Sequence, residues 1–146
     1  MGAGFGTISQ NPTQHSATTR IIKRRARLVA ADLGGVRFVA VTISGADFSN
    51  ANLRSADLSG TDGSHIRFVG ACLRDTVWDR ANLTVVNFDR ADLRGADMRR
   101  VAQVVPVSAE GALYDDGTQF PTNKTVCRRD RSWDGLCRTF RLLIND

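Results

Sequence analysis

Chemistry in this chain would have to come from two histidines, three cysteines and a long series of aspartates and arginines. Histidine is the side chain best suited to proton transfer near neutral pH. His15, however, lies in a leader rich in Gly, Ser, Thr and Gln, and His65 takes an outward-facing position in the pattern described below. Cys127 and Cys137 are separated by nine residues, with no histidine nearby. Two thiols are too few for a structural zinc site, which takes four ligands. A disulfide between them needs an oxidising compartment, so free thiols are expected. No Ser or Cys lies in a nucleophile motif, and no glycine-rich phosphate loop precedes a helix. The aspartates recur at a fixed step and report architecture, not an acid/base pair. These residues predict no catalytic, cofactor or metal site, and a protein that is not an enzyme.

Arginine is different. Arg54, Arg74 and Arg94 recur every twenty residues, and so do Arg80 and Arg100. On an element that returns to the same side every twenty residues, they form outward rows spaced by about one strand separation, 4.7–4.9 Å. One reading is a solvated ladder neutralised by Asp75, Asp79 and Asp89. The other is a basic stripe for an acidic partner or a nucleic-acid backbone. These five arginines are the candidate partner-binding residues.

A period of twenty requires an unusual element. From Leu28 to Met98 every fifth residue is large and apolar, including Leu33, Phe48, Leu53, Phe68, Leu73, Trp78, Phe88 and Leu93, with Gly63 the exception. Two positions before each, the residue is small or β-branched, and Ala31, Ala51, Ala71 and Ala91 form one all-alanine set. Neither a helix nor a simple strand has period five. The unit is a short repeat that buries its apolar residues by stacking on its neighbours. Four five-residue units per turn give a coil of square cross-section, with the large and the small residue both inward. Fifteen units make just under four turns. Gly63 lies in Thr61-Asp62-Gly63-Ser64-His65, which reads like a turn and predicts a small outward bulge, with Ile66 or Trp78 filling the lost volume.

Units such as Ala46-Asp47-Phe48-Ser49-Asn50, Ala51-Asn52-Leu53-Arg54-Ser55 and Ala91-Asp92-Leu93-Arg94-Gly95 resemble the A(D/N)LXX repeat of the pentapeptide-repeat family. The resemblance covers about half the chain. It implies an all-β solenoid, a right-handed quadrilateral β-helix of about four coils. It also implies a terminal element at residues 111–121, where Ala112 and Tyr114 resume the inward positions one residue out of register. Some members of that family mimic duplex DNA and bind DNA gyrase, protecting it from quinolones. Mimicry requires rows of carboxylates, whereas residues 26–100 carry ten arginines against nine aspartates.

The ends differ from the middle. Residues 1–25 are expected to form a disordered basic arm with no acid, in which 1–19 are rich in Gly, Ser, Thr and Gln; Arg20 to Arg27 reads RIIKRRAR. Residues 26–121 are the repeat domain with its terminal element, and 122–146 a C-terminal cap. In the cap Trp133, Leu136, Cys137, Phe140 and Leu143 share one face of a helix. That face either closes the open end of the coil or pairs with its copy in a symmetric homodimer. No secretory leader and no membrane-length apolar run is present, and free thiols suit a reducing compartment, so the expected location is the cytoplasm. The expected role is a non-enzymatic scaffold that offers a rigid side wall to a protein partner. A gyrase-binding DNA mimic and a nucleic-acid or polyanion binder acting through the arm and arginine stripe are the alternatives.

Overall fold

Small and β-branched residues two positions before each large one let the backbone fold tightly around a continuous stack. The structure, a computed structural model, describes residues 20–21 and 24–121. Five strands follow in order: β1 (Arg20–Ile21), β2 (Val41–Thr42), β3 (Asp62–Arg67), β4 (Asn82–Asn87) and β5 (Gln103–Ser108). They pair in parallel as one sheet in chain order. In the middle of the sheet partners lie twenty residues apart, as in Asp62 with Asn82 and Ile66 with Val86, and at its two ends twenty-one, as in Arg20 with Val41 and Asn82 with Gln103. The other three sides are joined by single parallel bridges at the step of twenty. One column runs Arg27, Asp47, Arg67; a second runs Asp32, Asn52, Cys72, Asp92; a third runs Arg37, Asp57, Val77, Asp97. Four columns of pairing make four sides, and the chain is a β-helix.

The corners share one device. Every fifth residue from Arg25 to Gly95 has a positive φ. With bonds such as Ala31 N–H to the Leu28 carbonyl, 3.1 Å, this is the geometry of a turn with a left-handed third residue. Ten of these positions are not glycine, and Val85 (φ 55°) is β-branched, the residue class least suited to that region.

Every large residue of the five-residue row is buried, Leu28 and Met98 at the two ends being 4% exposed and the others less. The rings of Phe48, Phe68 and Phe88 stack along the axis with centroids 5.2 and 5.6 Å apart. Trp78 meets Phe68 and Phe88 edge-on. Two threonines stand in the small row and hydrogen-bond inside the core, Thr61 Oγ1 to the Leu58 carbonyl and Thr76 Oγ1 to the Leu73 carbonyl, both at 2.7 Å.

Two expectations are corrected. Residues around Gly63 form the regular strand β3 and not an outward bulge. A Cβ at Gly63 would lie 3.1 Å from Ile66 Cδ1 and 3.1 Å from the Ser44 nitrogen, so Ile66 occupies the missing volume. Order also reaches further into the basic arm than expected, since Arg20–Ile21 pairs with β2. Beyond Arg100 the coil continues through the terminal element, one residue out of register as expected. The Ala81 carbonyl accepts from both Ala102 and Gln103, at 2.9 and 3.1 Å, and one residue is thereby added. The step becomes twenty-one between Asp92 and Leu113, and twenty-two between Asp97 and Gln119. Pro106 lies within β5, the edge strand of the sheet, where proline is tolerated, and the ladder is irregular there. Tyr114 falls on the large-residue column as expected, but it remains 40% exposed. Residues 1–19, 22–23 and 122–146, with His15, Cys127 and the cap face of Trp133, Leu136, Phe140 and Leu143, lie outside the described residues.

Candidate interaction surface

The slot before each large residue explains the aspartates and asparagines of the repeat. The side-chain oxygen there accepts from the backbone N–H two residues on. Examples are Asp47 with Ser49 (3.0 Å), Asn52 with Arg54 (3.1 Å), Asp57 with Ser59 (3.0 Å) and Asp92 with Arg94 (3.2 Å). Such a bond holds a turn as a further backbone bond would. Cys72 occupies this slot as a free thiol, and the Arg74 N–H has no such acceptor there.

The arginine rows form as expected, with partners that differ in part. Arg54 Nε lies 3.6 Å from Asp75 Oδ2 on the next coil. Arg94 engages Asp92 with two bonds, Nε to Oδ1 at 2.8 Å and Nη2 to Oδ2 at 2.6 Å. Between them, Arg74 has no carboxylate within 4.0 Å among the described residues, and its buried Nε has no hydrogen-bond partner. On the adjacent side, Asp79 serves both Arg80 (3.6 Å) and Arg100 (3.2 Å). Asp89, expected to neutralise this ladder, instead accepts from the Ser108 hydroxyl and the Glu110 N–H. Asp97 pairs with Arg99 through two bonds of 3.0 and 2.7 Å.

Reasoning along the sequence missed Asp92 and Asp97 as the main partners. The signal was Asp-Leu-Arg and Asp-Met-Arg: residues two apart on extended chain point to the same side. The two-bond pairs leave an electrostatic trace. The Arg94 guanidinium, bonded to Asp92, holds that carboxyl below its ordinary range, and Arg99 does the same for Asp97. Solvent screens both pairs, the first part-buried and the second exposed, so each adds little to stability. Their larger effect is to fix long side chains in place.

His65 sits at a corner, exposed, with Nδ1 3.3 Å from Ser64 Oγ. Among the described residues no group of three or more His, Cys, Asp or Glu is placed to hold a metal ion. No helix among them is long and apolar enough to cross a membrane. What the geometry offers is a wall of polar side chains at fixed heights on a scaffold with a continuous backbone ladder.

Eight copies of the pentapeptide-repeat family profile match residues 24–62 and 64–101. The gap falls on Gly63. Among solved structures, the chain is similar to QnrB1, a plasmid-mediated fluoroquinolone resistance protein. The identity is 17% and the TM-score 0.51, over 68% of this chain and 45% of that one. It is also similar to a pentapeptide repeat protein of the Arabidopsis thaliana thylakoid lumen. There the identity is 20% and the TM-score 0.50, over 79% and 77% of the two chains. The chain thus spans less than half the length of QnrB1, and at these identities the likeness is one of fold. No curated protein sequence matches.

Proposed function

This chain belongs to the pentapeptide-repeat family, whose members fold as right-handed β-helices, and from that premise we propose that it is a non-enzymatic module presenting a rigid side wall to a protein partner. The observation that supports this reading is the state of the row Arg54, Arg74, Arg94. The outer two guanidiniums are held by Asp75 and Asp92, while the central one keeps a buried, unpartnered Nε. A partner that supplies a carboxylate to the Arg74 guanidinium pairs a cation that has none within 4.0 Å among the described residues and finds its neighbours already fixed. Preorganisation of this kind lowers the ordering cost of association. Arg80 and Arg100, sharing Asp79, extend the wall around the corner.

The test is affinity capture on the immobilised chain with site-specific crosslinking, comparing the parent with Arg74→Gln and with Arg80→Gln/Arg100→Gln. The proposal expects a protein crosslinked to the wall whose capture falls at least tenfold in Arg74→Gln. Capture that is indifferent to both variants would remove the wall as the docking surface. A gyrase-binding role is the weaker reading, because arginines alternate with the carboxylates that mimicry would need in unbroken rows. Protection of gyrase from a quinolone by the purified chain would reverse that ranking.

A further inference from the structure

Seven arginines of the coil, from Arg37 to Arg100, have a carboxylate within 4.0 Å. Arg24, Arg25 and Arg27, at the start of the first turn, have none among the described residues, and all three are exposed. Their nearest acids along the columns are already engaged. Asp47, paired by backbone bridge with Arg27, accepts from the Ser49 N–H and hydroxyl and lies 4.0 Å from Arg67. Asp32 accepts from the Asn52 amide at 3.1 Å.

The backbone that carries these three cations is held in place. The Arg25 N–H donates to the Ser44 carbonyl at 3.2 Å, and Arg25 Cγ packs over Gly45. The strand β1 just before them is paired with β2. The result is one edge of a rigid prism with three guanidiniums within four residues that no carboxylate among the described residues approaches within 4.0 Å, Arg27 feeling Asp47 only at longer range. Phe38, the aromatic residue of the first turn, is buried, so this edge offers no exposed ring on which a base could stack.

We infer that the edge formed by Arg24, Arg25 and Arg27 is a contact site for the phosphate backbone of nucleic acid. Guanidinium matches phosphate oxygens with paired bonds, and the closely spaced charges of a nucleic acid satisfy several arginines at once. Without base contacts the binding is indifferent to sequence and lies in the micromolar range typical of such contacts. The site is separate from the side wall, and either can fail without the other.

Fluorescence anisotropy of the full chain with a labelled DNA duplex of random sequence tests this, read from 50 to 200 mM salt. Three released contacts give an affinity loss of about forty-fold over that range. Arg24→Gln/Arg25→Gln/Arg27→Gln should lose at least tenfold at 50 mM and show a flattened salt slope. The corresponding triple Lys variant should retain most of the binding, and a thermal melt of each variant separates lost contact from lost fold. Arg37→Gln/Arg67→Gln, which removes paired arginines elsewhere, should change affinity less than twofold. The inference is overturned by absent binding at 50 mM, by binding the triple Gln variant keeps, or by tighter binding to phosphatidylserine vesicles than to DNA.

Discussion

The indole N–H of Trp78 donates to the Thr76 hydroxyl at 2.7 Å, and that hydroxyl donates in turn to the Leu73 carbonyl at 2.7 Å. Thr61 stands at the equivalent kind of position with only the second of these bonds. Changing either threonine to the alanine that dominates the column looks conservative. Thr76→Ala leaves a buried indole donor unsatisfied and should cost about 1–3 kcal/mol. Thr61→Ala should cost less than half as much. Urea unfolding of both variants checks the order, and equal losses would mean the indole bond adds nothing.

Cys72→Asn should stabilise the chain. It places an acceptor where Asp92 and Asn52 have theirs on the same column, within reach of the Arg74 N–H. The expected gain is about 0.5–1.5 kcal/mol, read as a higher melting temperature. No gain would indicate that the turn after Cys72 is already held some other way.

Val85 adopts φ 55° inside β4. Val85→Gly removes the steric cost of that conformation, against the entropy glycine adds to the unfolded chain, for a net gain of about 0.5–1 kcal/mol. Thr84→Gly, in the same strand but without a positive φ, should destabilise. A lower melting temperature for Val85→Gly than for the parent would contradict strain at the corner.

Acid should loosen the coil from its C-terminal half. Asp92 and Asp97 are held below the ordinary carboxylate range, chiefly by side-chain bonds from Arg94 and Arg99. A carboxyl depressed in the folded state stabilises fully above its unfolded value, and that contribution disappears as pH falls through the folded one. Melting temperature should therefore be level above about pH 5 and fall below about pH 4. Asp92→Asn/Asp97→Asn should weaken that fall, since the amide keeps the turn bond and loses the ion pair. An unchanged acid limb would assign the transition to other groups.

The core is fully legible in the sequence because its step is constant: from Leu28 to Met98 each inward residue announces the next. Legibility ends at Ala102, where one extra residue changes the interval and a later one changes it again before Thr118. Gly63 misleads for a different reason. Its neighbours read as turn formers, but Ile66 supplies the missing volume and the strand pairs on both sides. The rows of arginine are legible for the same reason as the core, and their pairing is not. That Asp75 on the next coil reaches Arg54, while no described carboxylate comes within 4.0 Å of Arg74, depends on side-chain rotamers that periodicity does not encode.

A turn of this molecule is a removable part. Ala51 and Ala71 hold the same place one turn apart, so joining Asn50 to Ala71 excises residues 51–70 and leaves every column in step. Nearest-neighbour stacking predicts a shorter, less stable protein that still folds. The last turn permits no such cut, because its intervals of twenty-one and twenty-two differ from the twenty of the bridges between Arg27 and Asp97. An excision or an added copy that keeps the columns in step must fall upstream of Ala102, and each changes the height of the wall by one coil, about 4.8 Å.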